Sequence, residues 1–195
     1  MGEGLTAEAL RLPVHTRRLI LRIPVASDLA AICRLINDPA IARNTGLIRY
    51  PYPVISGGKW IAAVHRAAGP SFHMPYLLTL RSNPRLIAGA VGISVEETGI
   101  PTIGYWVAKA YRRRGFATEA SRALIQLAFA RSDVMAVGAS ARTSNIASQR
   151  VLEATGMRRI GHGRIKSVQL ARYVPAFIYR LDRTAWEKTR KAGSQ

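Results

Sequence analysis

Residues 112–117 read Arg-Arg-Arg-Gly-Phe-Ala, a basic turn built around one glycine. The turn lies between an apolar run at residues 102–107 and a segment with Ala120, Leu124, Leu127 and Ala128 at helical spacing. Strand, basic turn, helix is a physical device for holding phosphate. The first turn of a helix leaves backbone N–H groups unpaired, and the helix dipole adds positive potential there. Gly115 lets the backbone approach an anion without a Cβ in the way. Ala117 keeps the next approach point small, Thr118 adds a hydroxyl, and Arg112, Arg113 and Arg114 add mobile positive charge. A Walker-type nucleotide site needs Gly-Lys-Ser/Thr, which does not occur, and a dinucleotide site needs more than the single glycine present here. Taken alone, the turn competes with a plainer reading, a solvated basic loop entering a helix.

Proton-transfer groups are more scattered. Glu96 and Glu97 sit in a turn just after an apolar run and are candidate bases, directly or through water. His65, His73 and His162 could also take a proton, although each is ordinarily a structural or surface residue. The four histidines show no metal-ligand spacing, and no metal is expected. Cys33, the single cysteine, falls in an apolar helical pattern. It reads as a small buried residue, and no intramolecular disulfide can form.

The elements that position these residues follow from periodicity and punctuation. Residues 19–23 form a first strand ending at Pro24. Ser27-Asp28 offers a cap to a helix carrying Leu29, Ile32, Cys33, Leu35 and Ile36. Asn37-Asp38-Pro39 stops that helix and starts a short second one. Residues 57–66 form another helix. Strands at 76–80, 86–95 and 102–107 make an antiparallel meander, with Gly89 and Gly92 marking close packing or a bulge. A helix at 117–129, a short strand at 134–137, a helix at 145–154 closed by Gly156, and a strand at 173–181 complete the pattern. The alternation predicts one mixed α/β domain. Its boundaries are a leader at 1–15, the domain at 16–182 and a polar, frayed tail at 183–195.

These blocks, in this order, resemble the GNAT acetyltransferase superfamily, specifically its RimJ/RimL-type branch. The resemblance runs through Thr16-Arg17-Arg18-Leu19, Asn37-Asp38-Pro39, Tyr50-Pro51-Tyr52-Pro53 with Trp60, Gly104-Tyr105-Trp106-Val107, residues 111–120, and Asn145-Ile146-Ala147-Ser148 with Gly156-Met157. It implies an α+β fold with a mixed, mostly antiparallel sheet flanked by helices and a V-shaped cleft for acetyl-CoA. In that frame the backbone of Trp106 and Val107 binds the pantetheine arm, and Arg112, Arg113, Arg114, Gly115, Phe116, Ala117 and Thr118 cradle the pyrophosphate. Asn145 and Ser148 face the pantetheine and the thioester. Many relatives place a tyrosine acid where this chain has Leu152, so Ser148, one turn earlier, is the candidate acid. Thr102 stands where the branch often has glutamate, which leaves Glu96 or Glu97 as candidate bases and Glu119 as a structural residue. The implied reaction is transfer of an acetyl group to a primary amine by direct attack in a ternary complex. The acceptor is a protein N-terminus or a small-molecule amine.

The chain carries 29 Lys and Arg against 11 Asp and Glu, a net charge of +18. Such a charge attracts polyanions, and it suits an association with the ribosome. A nucleic-acid-binding module is therefore a rival reading, weakened by the scarcity of aromatic residues to stack on bases. A non-catalytic acyl-CoA-binding protein is the other, motivated by Thr102 and Leu152. The expected setting is cytoplasmic, with no membrane span, as a monomer or homodimer.

Overall fold

Along residues 102–107 successive side chains point to opposite faces of a strand, and helices cover both faces. The computed structural model describes residues 13–66, 72–95 and 99–192. Among them are eight strands: β1 (Val14–His15), β2 (Leu19–Arg22), β3 (Phe72–Leu80), β4 (Asn83–Val95), β5 (Thr102–Val107), β6 (Ala136–Arg142), β7 (Arg158–Ser167) and β8 (Arg172–Asp182). The helices are α1 (Leu29–Ile36), α2 (Pro39–Asn44), α3 (Val54–Arg66), α4 (Phe116–Phe129), α5 (Ile146–Ala154) and α6 (Arg183–Ala192). The sheet order is β1-β2-β3-β4-β5-β6-β8-β7. Every neighbouring pair is antiparallel except β5 and β6. The result is the expected single α/β domain with a mixed, mostly antiparallel sheet.

Two apolar clusters sandwich the sheet. On one face Ile103, Val137, Ala139 and Tyr179 pack with Phe116, Leu124 and Leu152 of α4 and α5. On the other, Leu77, Ala90 and Trp106 pack with Ile32, Ile36, Ile41 and Ile61 of α1, α2 and α3. Gly89 marks the close approach of β4 to β5: a Cβ there would lie 2.2 Å from the Trp106 carbonyl oxygen. The ladder between β3 and β4 slips beside it, at Leu78 and Thr79.

Four segments differ from the sequence reading. The strand expected at 134–137 is β6, displaced toward the C-terminus into Gly138-Ala139-Ser140-Ala141, whose small residues carry little strand signal. β7 was not expected at all. Its exposed positions are mostly Arg, His and Lys, and it pairs only with β8 at the sheet edge. Within the leader, Val14 and His15 pair with Leu21 and Ile20 of β2. Within the tail, α6 is a helix whose Ala185 and Trp186 pack on the core, with Trp186 4.9 Å from the Phe129 ring. Arg183 at its start donates to the carbonyls of Phe129, Arg131 and Val134, closing the C-terminal end of α4.

Capping also departs from expectation at α1. A 3-10 turn, Ala26–Asp28, precedes the helix, and Asp28 does not cap it. Its carboxylate instead accepts from the two terminal guanidinium nitrogens of Arg22, at 2.7 and 2.8 Å, and from the Val25 N–H at 2.8 Å. At α2 the expected stop-start holds, with Pro39 at the start and Asp38 accepting the Ala40 N–H at 2.7 Å.

Candidate functional site

The ladder between β5 and β6 pairs only Thr102 with Gly138 and Ile103 with Ala139. Past that point the two strands part. β5 runs on to Val107 and β6 to Arg142, each still paired on its far side, to β4 and β8. Between them lies a strand edge that an extended ligand can complete with backbone hydrogen bonds. Trp106 suits a backbone role, because its indole is buried in the α1–α3 cluster. The Val107 carbonyl is occupied: it accepts Arg112 Nε at 3.0 Å.

Beyond the open end of β5 a 3-10 turn, Lys109–Tyr111, leads into the basic turn and α4. Arg113 and Gly115 both take positive φ, 62° and 76°. Gly115, in the left-handed region, is the residue from which α4 starts. No side chain among the described residues caps the helix, so the N–H groups of Phe116, Ala117 and Thr118 face the turn without a side-chain acceptor. A chain that buries a phosphate here gains dipole and amide contacts that solvent would otherwise supply.

The three arginines separate in role. Arg112 is not mobile charge. Its side chain is tied to Val107 and, at 2.6 Å, to Asp38 at the head of α2. Burial alone would raise the Asp38 carboxyl, but the Ala40 N–H and Arg112 outweigh it and hold it below its usual value. Arg114 lies over the Tyr111 ring at 5.6 Å, and Arg113 is exposed. Those two remain available to an anion. Glu119 is structural, as expected. It accepts the Thr16 hydroxyl, the Arg18 N–H and Arg18 Nε at 2.7, 2.8 and 2.7 Å, fastening the β1–β2 turn to the first turn of α4. A groove of about 720 Å³ starts at Gly115 and Thr118 and follows α4 past Arg122 to Ala130; Tyr105 and Ser148 are not among its walls.

Across the opening stands α5. Asn145 caps it, its side-chain oxygen accepting the Ser148 N–H at 3.2 Å. The Tyr105 hydroxyl lies 2.8 Å from Ser148 Oγ and 3.1 Å from the Ser148 carbonyl oxygen, so its one hydrogen has both oxygens within reach. Burial pushes the Tyr105 phenol up to about 12, against a smaller lowering by the bond to Ser148. Tyr105 therefore stays protonated at neutral pH. Leu152 is buried in the core and offers no donor. Ser148 is the candidate acid expected from the sequence; Tyr105, which the fold sets beside it, has no expected role there. The signal was available: Tyr105 alternates with Trp106, so its hydroxyl must face the α5 side.

The candidate bases fare unevenly. Glu96, Glu97 and the His65 side chain lie outside the described residues. His162 packs edge-on against Phe177 at 4.9 Å on β7. His73 Nδ1 lies 2.7 Å from Ser94 Oγ on the face covered by α1, α2 and α3. Cys33 is partly buried, and burial pushes its thiol up, away from the reactive thiolate.

A family model described as Acetyltransferase (GNAT) domain matches residues 18–158. The uncharacterized N-acetyltransferase YjdG of Bacillus subtilis (strain 168) is 29% identical over 82 residues, 42% of this chain and 49% of that protein. The match thus spans about half the length of that curated relative. Mycobacterium smegmatis RimJ in complex with CoA-disulfide superposes with a TM-score of 0.75 at 19% identity, covering 95% of this chain and 96% of that one. AAC(6')-Ib in complex with ribostamycin and coenzyme A gives a TM-score of 0.72 at 22% identity, covering 87% and 96%. At these identities the superpositions establish a shared fold.

Proposed function

The chain belongs to the GNAT acetyltransferase family, and from that premise we propose that it transfers an acetyl group from acetyl-CoA to a primary amine by direct attack in a ternary complex. The observation that carries this reading is the two-pair ladder between β5 and β6, opening between an uncapped helix start and a paired Tyr105–Ser148 hydroxyl couple.

The residues present fit acetyl-CoA. Its pyrophosphate would meet the amides of Gly115, Phe116, Ala117 and Thr118, with Arg113 and Arg114 adding charge. Its pantetheine arm would lie along Trp106 and Val107, with Asn145 and Ser148 opposite. Bound there, it supplies the activated acyl group. The chain's own part is to orient the amine, stabilise charge developing on the carbonyl oxygen through β5 backbone N–H groups, and move protons. Ser148 Oγ holds the proton for the departing sulfur, and the Tyr105 hydroxyl replaces it. The phenol stays protonated until the serine loses its own proton, and the serine alkoxide, the stronger base, then takes the proton of Tyr105.

The acceptor we assign is a primary amine, an N-terminal α-amine or a small-molecule amine. Similarity to RimJ supports the first, and similarity to AAC(6')-Ib the second. Acetyl-CoA turnover against N-terminal peptides and small amines tests the reading directly. Binding of CoA with no turnover on any amine would leave a non-catalytic acyl-CoA-binding protein. Gly115→Glu sets a carboxylate at the phosphate position and strains the left-handed backbone. It is expected to weaken CoA binding at least 100-fold by calorimetry; unchanged affinity would refute the placement.

A further inference from the structure

On the sheet face covered by α1, α2 and α3, register aligns a row of small and polar residues. His73 pairs with Ser94 and Ser94 with Thr102; beside them Gly92 pairs with Gly104. The His73 ring does not stand up from β3. It lies across β4: a Cβ on Gly92 would sit 2.9 Å from His73 Cε1 and 3.5 Å from Nε2. Only glycine at 92 leaves room for the imidazole. At Gly104, the next position in that row, a Cβ would meet nothing within 4 Å. Two adjacent glycines weaken a sheet and pack nothing. Here they make an open floor with an imidazole at one edge. Its other edge is the parting of the strands, since Gly104 is one residue past the last β5–β6 pair.

We propose that His73 is the general base of the transfer, taking the proton that the acceptor amine gives up above Gly104. The inference rests on the acetyl-transfer reading. As the amine nitrogen bonds to the acyl carbon, the carbon–sulfur bond breaks, the amine proton passes to His73 Nε2, and the sulfur takes the Ser148 proton. The tautomer required has Nδ1–H donating to Ser94 Oγ, which leaves the Nε2 lone pair toward the floor. Nε2 then lies over β4 beside Gly92, one strand away from Gly104 on β5, where an amine or one bridging water can meet it. Crowding by the protein lowers the His73 pKa below its ordinary value, although the residue keeps exposed surface. The ring is thus neutral at pH 7 and able to accept a proton. Ser94 and Thr102, the polar groups beside it on β4 and β5, are uncharged. Among the described residues Asp28, Asp38 and Glu119 are each paired with an arginine, Arg22, Arg112 and Arg18 in turn, and Glu96 and Glu97, which follow β4, lie outside the described residues.

The test compares wild type, His73→Gln, Gly92→Ala and the double variant Glu96→Gln/Glu97→Gln, using an amine that the wild type acetylates. His73→Gln is expected to lower kcat/KM by 100-fold or more while CoA affinity by calorimetry is unchanged. In the wild type, protonation of His73 removes the base as pH falls through a pKa below 6.5, so kcat/KM carries an acid limb there. That limb should vanish in His73→Gln and persist in the double glutamine variant. Gly92→Ala, which displaces the imidazole and leaves its chemistry intact, should also lower turnover without loss of CoA binding. Wild-type activity in His73→Gln, or loss of the acid limb in the double glutamine variant instead, would overturn the assignment. A wild type that binds CoA and acetylates no amine would refute the transfer reading itself, a separate outcome.

Discussion

At the scale of single residues, the hydroxyl pair Tyr105–Ser148 is the sharpest object for test. Tyr105→Phe keeps the ring and its packing and removes one oxygen, leaving Ser148 without its replenishing donor. Turnover is expected to fall about 10-fold, less than the 100-fold or more expected for Ser148→Ala, because Tyr105 acts through the serine. Both variants should bind CoA as the wild type does. If Tyr105→Phe turned over at the full rate, the relay would be wrong and the bond would be structural. Ser148 was legible in the sequence through its place in an ordered set of motifs. For Tyr105 alternation with Trp106 sets the sheet face but not the partner, which is 43 positions away and is brought to it only by the folded sheet. Arg112 shows the same limit: three consecutive arginines look equivalent in sequence, yet contacts to Val107 and Asp38 take one of them out of the charge available to a ligand.

Elements divide by how their stability is encoded. α1, α4 and β5 were readable because their own apolar spacing specifies them. β7 and α6 were not, since each takes its stability from a neighbour: β7 from a full ladder with β8, α6 from Trp186 on Phe129 and Arg183 at the end of α4. A polar stretch with one well-placed tryptophan looks like a tail until the surface it docks on is known. Trp186→Ala is therefore expected to destabilise the domain by about 1–3 kcal/mol in denaturant unfolding, where a frayed tail would give no change. Its CoA affinity should be unaltered, because α6 docks at the far end of α4 from the phosphate turn.

The whole molecule joins two antiparallel blocks, β1 to β5 and β6 to β8, through one short parallel ladder. Its net charge is +18, and the proposed ligand is a polyanion. Long-range attraction of this kind speeds encounter more than it deepens affinity, and salt screens it. The association rate of CoA, followed by stopped flow, is expected to fall several-fold between about 0.01 and 0.5 M salt, with a smaller change in the dissociation rate. An association rate indifferent to salt would mean that the net charge serves another partner.

The two-pair ladder has a consequence for how the free protein breathes. Amide hydrogens past Ile103 on the β6 side have no strand to shield them, so the sheet's least protected interior amides should lie along its own midline and not at its rims. A bound pantetheine would act as a ninth, borrowed strand across that seam. Hydrogen exchange should then slow on both sides of it together when CoA is added.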